Sequence, residues 1–189
     1  MTAFKFKKAV QSLNYFAILE GGKVNKMKAL KLIWLADRLH LRKYGRTIIN
    51  DVYKAMPNGP VASSTRNILE RDIVISEEYS STFLTADADH YFYRSIKEVE
   101  KDVFSKSDLE CMEIVSKHYG RLDKFELSHL SHYYPEWSKF ENDFRTKKGR
   151  SFDIDFADFF KNISKGSEIF NQTKEHLQLS FDLFKGQLI

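Results

Sequence analysis

The sequence contains little cysteine and proline and no long apolar run. Among its 189 residues are three prolines and one cysteine, Cys111. One cysteine excludes a disulfide framework and a cysteine-rich zinc site, so Cys111 is interpreted as a small buried hydrophobic residue. No run approaches the ~20 apolar residues of a membrane span, since even the segment from Ala29 to Ala36 is interrupted by Lys31. We expect no membrane partner.

Signals that divide or target a chain are also missing. The basic N-terminus lacks the uninterrupted apolar region of a signal peptide, which favours a reducing cytoplasm. The sequence shows no repeat, no low-complexity tract and no linker rich in proline and serine. With 42% hydrophobic and 30% charged residues, the composition is that of a globular protein. At this length one domain over residues 1–189 is expected.

Charge is unevenly distributed along the chain. The net charge is +4, but residues 1–50 contain eleven Lys and Arg against Glu20 and Asp37, which gives +9 there and −5 in the remainder. This asymmetry indicates an acidic partner. The charge alone is compatible with nucleic acid and with an acidic protein.

Hydrophobic periodicity predicts a mainly α fold. A first helix is expected over residues 6–20 and a second over residues 26–44, the latter capped by Asn25 and closed by Gly45. Because the second helix is apolar almost all round, we expect it to be the central buried element. Four cations share one stripe of this helix, away from the apolar stripe that holds Asp37, and are expected to face outward: Lys28, Lys31, Arg38 and Arg42.

The rest of the chain predicts shorter elements. Residues 46–60 are expected to be extended, with a turn at Asn58-Gly59, and residues 81–85 and 91–95 to form a β hairpin. Further helices are expected at residues 64–72, 107–119, 123–134 and 167–185. Their predicted caps are Ser63 or Ser64, Ser107 with Glu110, and Asp123. Residues 151–160 fit strand and helix equally, so the predicted fold is a compact multi-helix domain with a small β hairpin.

Two groups of potential metal ligands have a simpler interpretation. His129 and His132 are three residues apart, with Glu126 one turn earlier, but no HExxH pattern and no further ligand accompany them. We interpret His132 as part of a helix end, where its ring bonds a free backbone carbonyl. The aspartates of residues 151–160 lack the glycine and the terminal Glu of an EF-hand loop. Neither a metal nor a cofactor is expected.

Asp37 lies on an otherwise apolar helical stripe and needs a partner, because burying an unpaired carboxylate is costly. A general base is one interpretation, and a hydrolytic site with His132 is the weakest hypothesis of all. A structural ion pair with an Arg or His of another segment is favoured, since buried charges are usually paired. The sequence contains no GxSxG, Walker A or GxGxxG motif, and we expect no enzyme.

Three segments, in order along the chain, carry recognisable motifs. Lys31–Arg38 reads KLIWLADR, Asp51–Val61 has the form D-x-Y-x-A-x-x-x-GPV, and LSHLSH at Leu127–His132 is followed by Pro135 and Trp137. Together they resemble the Panacea, or SocA-like, antitoxin domain family. The corresponding family motifs are KLLYFAD, D-x-Y-x-A-x-x-x-GPV and LSxLSH…PW.

The resemblance extends over about residues 9–145 and departs from the family pattern at two positions. Trp34 stands where a Tyr is common, and Glu136 interrupts a Pro-Trp pair that is often contiguous. On this basis residues 1–145 are expected to form the family core. Residues 146–189 are expected to be a C-terminal extension with a final helix.

The resemblance implies a cytoplasmic protein of a bacterial or prophage toxin–antitoxin pair. Members of the family neutralise toxins by direct protein contact, and one branch also delivers its toxin to a protease. A cognate toxin is therefore the expected partner, and a protease a further one. The family-motif residues, for which partner binding and a scaffold role both stay open, are Asp37, Tyr53, Asn58, Gly59, Pro60, Val61, His132 and Trp137.

A nucleic-acid-binding regulator is the alternative hypothesis. It is based on the basic N-terminal third and on the short helix after Ser64, which together with the following β ribbon resembles a winged helix-turn-helix. Beside the three motifs, a protein partner is favoured and nucleic acid comes second.

Overall fold

The computed structural model describes residues 3–70, 77–163 and 168–186 of the chain. Helices predominate, which confirms the predicted fold class. They are α1 (Phe6–Leu19), α2 (Lys26–Tyr44), α3 (Ser63–Leu69), α4 (Glu77–Phe83), α5 (Lys106–Tyr119), α6 (Lys124–Ser131), α7 (Pro135–Ser138), α8 (Glu141–Arg145) and α9 (Lys174–Gly186). Short 3₁₀ turns lie at Lys101–Val103, Phe156–Phe160 and Glu168–Phe170.

Helix α2 is the centre of the core. It packs against α1, α5, α6 and α9, and its apolar residues are buried on every side, as the all-round apolar pattern predicts. Asn25 caps the helix by accepting hydrogen bonds from the amides of Met27 (3.0 Å) and Lys28 (3.3 Å). Gly45 ends it in a left-handed conformation, with φ of +68°. Both predicted ends are confirmed.

The outward-facing stripe of cations predicted on α2 is wrong. Lys31, Arg38 and Arg42 are buried, with 1%, 0% and 0% of their surfaces exposed. Lys28 is half-buried and pairs with Glu20. A helix that is apolar all round is enclosed on all sides, so its cations must find acceptors inside the protein.

Two small antiparallel sheets are present in the described part of the chain, where the sequence predicted a single hairpin. Their strands are β1 (Lys23–Asn25), β2 (Tyr53–Met56), β3 (Gly59–Ala62), β4 (Leu84–Ala86), β5 (Phe92–Ser95) and β6 (Phe152–Asp153), in the orders β1-β5-β4 and β3-β2-β6. Each sheet is a local hairpin extended by a distant strand: Val24 pairs with Tyr93, and Lys54 with Asp153. The two distant strands, β1 and β6, have three and two residues and are too short to give a periodic signal.

Two helix caps differ from the prediction. Ser105 and Asp108 form the capping box of α5, instead of Ser107 with Glu110. Helix α3 is capped by the distant Asp51 rather than by its own serines. The free amides of a helix start can donate to any carboxylate within reach, and a tertiary contact of this kind is invisible in local spacing.

Other boundaries depart from the prediction by a few residues. Residues 81–83 belong to α4, so the first strand of that hairpin starts at Leu84. In the segment that fits strand and helix equally, residues 152–153 form a strand and residues 156–160 a 3₁₀ turn. Helix α9 begins at Lys174. Two predicted boundary residues lie outside the described ranges, Asp72 and Ser167.

The described ranges show neither a membrane-spanning helix nor a cluster of metal ligands. No helix within them combines the length and the apolar character needed to cross a bilayer. The same ranges contain no group of three or more His, Cys, Asp or Glu side chains placed to hold a metal ion. The division into a core at residues 1–145 and an extension at residues 146–189 stays a prediction.

Candidate functional site

The tip of the β2–β3 hairpin is held by side chains from three helices, α2, α6 and α7. All three donate to backbone carbonyls of the turn. The bonds run from Lys31 Nζ to Pro60 O (2.7 Å), from Ser128 Oγ to Asn58 O (3.0 Å) and from Trp137 Nε1 to Met56 O (2.7 Å). The three sequence motifs therefore meet here, because one motif forms the hairpin and the other two supply its donors.

Gly59 occupies the point of closest approach between the hairpin and the helices. Its φ is +99°, a conformation that residues with a Cβ rarely adopt. A Cβ at this position would collide with Ser131 Oγ and would lie 2.7 Å from Lys31 Nζ. The glycine thus allows α2 and α6 to contact the same stretch of backbone.

His132 packs the end of α6 against the hairpin. Its ring stacks on Trp137, with centroids 3.6 Å apart and planes 10° from parallel, and it bonds the backbone carbonyl of Pro57. The predicted bond to a carbonyl is therefore present, but the carbonyl belongs to the hairpin. Burial, reinforced by the charge of Lys31, lowers the pKa of His132.

Asp37 is fully buried at the base of the hairpin. It accepts hydrogen bonds from the amides of Ile48 (2.6 Å) and Ile49 (3.3 Å) and from the hydroxyl of Tyr53 (2.8 Å). The predicted ion pair is wrong, since uncharged donors take the place of a cation. Burial raises the pKa of Asp37 to about 7, although these three hydrogen bonds oppose the rise.

Lys31 is the buried cation nearest the hairpin tip. Its ammonium group donates to the backbone carbonyl of Pro60, and no carboxylate within the described residues pairs with it. Burial without a countercharge lowers the pKa of Lys31 to about 7.

Arg38 is paired inside the protein with Glu136. Its Nε donates to Glu136 Oε1 (2.9 Å), an oxygen that also accepts from the indole of Trp34 (3.2 Å). The guanidinium lies over the rings of Tyr134 and Phe170, 4.9 and 4.6 Å from their centroids. Burial raises the pKa of Glu136, although Arg38 lowers it. The two departures from the family pattern, Trp34 and Glu136, are therefore in direct contact.

Arg42 fastens the C-terminal segment to α2. Its guanidinium donates to oxygen atoms of Phe159, Phe160, Lys161, Asn162, Phe170 and Gln172. Arg38 adds a bond from Nη2 to the carbonyl of Lys161 (2.6 Å). Sequence analysis missed this role because most of the acceptors are backbone carbonyls. The signal in the sequence that could have indicated this role was the position of Arg42 on a helix that is apolar all round, since such a helix is buried and its arginine needs acceptors inside the protein.

A cleft of about 370 Å³ opens beside the hairpin tip. Residues from the first turns of α2 and α6 line it together with the hairpin. Its apolar side chains include Met27, Leu30, Met56, Val61 and Phe125, and its cations are Lys26, Lys31, Arg66 and Lys124. No Asp or Glu of the described ranges is among the lining residues, so the cleft is both apolar and basic.

The eight candidate residues from the motifs divide into two groups. Asp37 and Tyr53 are bonded to each other in the interior. The others lie at the hairpin tip: Asn58, Gly59, Pro60, Val61, His132 and Trp137. Of these, Asn58 and Val61 also line the cleft. Sequence analysis did not single out Arg66, Lys124 and Phe125, which lie outside the motifs and give no local signal.

A protein-family model matches the central part of the chain. It is described as "Antitoxin SocA-like, Panacea domain" and covers residues 30–138, more than half of the sequence. No curated protein and no solved structure matches the chain. The matched range extends from α2 to α7, and so contains the hairpin and the side chains that hold it.

Proposed function

The chain belongs to the SocA-like Panacea antitoxin family, and from this membership we propose that it is a non-enzymatic antitoxin that binds and neutralises a cognate toxin protein. We place it in the cytoplasm of a bacterium, encoded by a chromosome or a prophage. The observation that carries the proposal is that the family match coincides with the hairpin, its supporting side chains and most of the adjoining cleft.

The motif residues act as a scaffold in this proposal. Lys31, Ser128 and Trp137 use their polar atoms to hold the hairpin backbone, and Asp37 uses both carboxylate oxygens inside the core. The toxin contacts the surface that this scaffold presents, which is the exposed turn at Pro57 and the cleft beside it.

The two other hypotheses have less support. A hydrolytic pair is disfavoured because Asp37 and His132 have different hydrogen-bond partners, Tyr53 for the first and the Pro57 carbonyl for the second. Nucleic-acid binding was suggested by the basic N-terminal third, whose cations on α2 were expected to form an outward stripe, and by a winged-helix-like element. Three of the four cations of that stripe are buried, so the stripe cannot follow a phosphate backbone.

Co-expression with the product of the adjacent open reading frame tests the proposal. We expect that product to arrest growth alone, and this protein to restore growth and to co-purify with it. Asp37→Ala, which leaves three buried donors without an acceptor, serves as the scaffold-defective control and should lose protection together with folded protein. A neighbour that is harmless alone, or equally toxic with and without this protein, contradicts the antitoxin role.

Delivery of the toxin to a protease is the second mode that family membership suggests. We include it in the proposal as a step that follows binding. Its measure is the half-life of the toxin with and without this protein, in cells that have or lack their ATP-dependent proteases. Faster toxin loss only in protease-positive cells supports delivery, whereas an unchanged half-life with full protection identifies simple blocking.

A further inference from the structure

The cleft beside the hairpin combines exposed apolar groups with cations. Phe125 is 60% exposed at its rim, and Tyr91 is exposed to the same extent. Met27 and Met56, which are half-buried, line it further in. Methionine adapts its shape to different partners, and exposed aromatic rings are common anchors at protein interfaces.

The cations of the cleft differ in how far they are already neutralised. Lys26 and Arg66 share Glu70, at 3.1 Å and 3.0 Å. No carboxylate of the described ranges pairs with Lys124, whose ammonium lies 4.9 Å from the Phe125 ring centroid. Lys31 donates to a single carbonyl oxygen, although an ammonium group has three donors. Lys124 therefore has capacity for an incoming anion, and Lys31 adds a buried positive charge that no carboxylate of the described ranges pairs with.

These two cations lie at different depths. Lys31 is buried at the inner end and Lys124 is partly exposed on the first turn of α6. The apolar side chains are distributed around them along the cleft. An occupant that matches this arrangement has a carboxylate beside an apolar side chain.

We propose that the cleft binds an acidic segment of the toxin, with an apolar side chain of that segment packed against Met27, Met56 and Phe125 and a carboxylate at Lys124, above the buried charge of Lys31. The inference deepens the proposed antitoxin function and depends on it. Charge complementarity carries it, because two of the four cations of the cleft, Lys31 and Lys124, have no carboxylate partner in the described ranges and no acidic side chain is among its described lining residues.

An acidic protein segment fits these observations better than a nucleic acid strand does. Strand binding without sequence preference needs a row of exposed cations along the backbone and rings for stacking. Here Lys31 is buried, Lys26 and Arg66 already share a carboxylate, and aliphatic and thioether groups supply most of the apolar lining.

The test measures the affinity of the full-length protein for the adjacent-gene product, made by cell-free synthesis. We expect Phe125→Ala to raise the Kd about ten-fold or more. Lys124→Glu should weaken it by a similar factor and make the remaining affinity less dependent on salt. Matched controls lie on α9: Leu179→Ala removes an apolar group of similar exposure, 62%, and Lys174→Glu reverses an exposed charge. Both controls should bind like the wild type.

A charge swap locates the partner segment. Cross-linking from a cysteine placed at Lys124 (Lys124→Cys) identifies the toxin residues that contact the rim. Reversing an acidic residue found there to Lys should restore binding to the Lys124→Glu variant and not to wild-type protein. Phe125 is exposed and Lys124 partly so, and we therefore expect their substitution to leave the melting temperature unchanged, which shows that the variants are folded.

The outcomes separate the inference from the function on which it depends. If wild-type protein neither protects nor binds, the antitoxin function fails. If it protects and the cleft variants bind as tightly as the α9 controls, the function stands and the cleft inference is overturned. It is also overturned if the cleft variants lose affinity only for a fluorescent single-stranded oligonucleotide, since the occupant is then a nucleic acid.

Discussion

Asp37 is a single residue whose environment has consequences that can be measured. Its carboxylate accepts from two amides and the Tyr53 hydroxyl while fully buried. We expect Asp37→Ala to lower the free energy of unfolding by about 3 kcal/mol or more, because three buried donors lose their acceptor. Asp37→Asn should cost less, since its amide oxygen still accepts from the backbone and its NH₂ group donates to Tyr53. Urea unfolding distinguishes the two variants.

The same residue makes stability depend on pH. The pKa of Asp37 is raised to about 7 in the folded protein against 3.8 for the free group. The folded state thus keeps a proton that the unfolded state has lost, and the free energy of unfolding falls as pH rises from about 4 to about 7, by roughly 4 kcal/mol from this group. In Asp37→Asn this contribution should vanish from urea midpoints measured across that range. Equal slopes for variant and wild type would contradict the assignment.

Trp34 and Glu136, the two departures from the family pattern, are a pair of residues whose contributions to stability should be coupled. Since the indole of Trp34 donates to the carboxylate oxygen that also accepts from Arg38, their effects on stability should not be additive. We expect Glu136→Gln to cost about 3–5 kcal/mol, because Arg38 is left as a buried charge without a countercharge. A double-mutant cycle with Trp34→Phe should show a coupling of about 1 kcal/mol. Additive effects would mean that the contact carries no energy.

In the β2–β3 hairpin, the cost of a Cβ at Gly59 can be divided into backbone strain and steric collision. Gly22 serves as the control, because it has a similar φ but open surroundings. Gly59 has φ of +99°, and a Cβ added there would collide with the side chains of Ser131 and Lys31. Gly22 has φ of +96°, and a Cβ added there would meet no atom of the described residues within 4 Å beyond its chain neighbours. Gly22→Ala should cost about 1 kcal/mol from backbone strain alone. Gly59→Ala should cost about 2 kcal/mol more, because the helices must move away. Thermal unfolding of the two variants measures the difference; equal losses would place the whole cost in the backbone.

Elements that are defined by interactions between residues close in sequence were predicted, and those that depend on residues distant in sequence were not. Helices α1 and α2 were predicted with their ends because periodicity and the local signals at Asn25 and Gly45 suffice. The cap of α3 depends on Asp51, which is distant in sequence, and strands β1 and β6 exist only through pairing with remote partners. At the site, the extended segment and its turn at Asn58-Gly59 were predicted, whereas their pairing as a hairpin and the partners of Asp37 and Arg42 required the folded chain.

For the whole molecule, the structure changes the meaning of the charge asymmetry. Five cations of residues 1–50 form ion pairs with carboxylates from the remainder of the chain: Lys8 and Arg46 with Asp108, Lys26 with Glu70, Arg38 with Glu136, and Lys43 with Glu110. Much of the basic third is therefore matched internally by the acidic remainder. Of the cations that remain, Lys7 and Lys23 are exposed on α1 and β1, outside the cleft.

The C-terminal segment completes the molecule by covering two arginines of the family-matched region. A chain that ends after residue 150 loses all six residues that accept from Arg42. We expect its melting temperature to fall by about 10 °C or more, because the truncation also removes the buried Phe159 and Phe170 and exposes the face of α2 that they cover. A chain that ends after residue 173 keeps these acceptors and loses only α9, so it should lose less. Equal melting temperatures for the two truncations would show that the arginine contacts are dispensable.

The support of the hairpin tip has a consequence for how this protein can diversify. The donors of α2, α6 and α7 bond the carbonyl oxygens of Met56, Asn58 and Pro60, and every amino acid has the same carbonyl group. Substituting the side chains of Met56 or Asn58 leaves these anchors unchanged, provided that Gly59 is kept. One framework can therefore carry many different tip sequences, so that new recognition surfaces arise without redesign of the core.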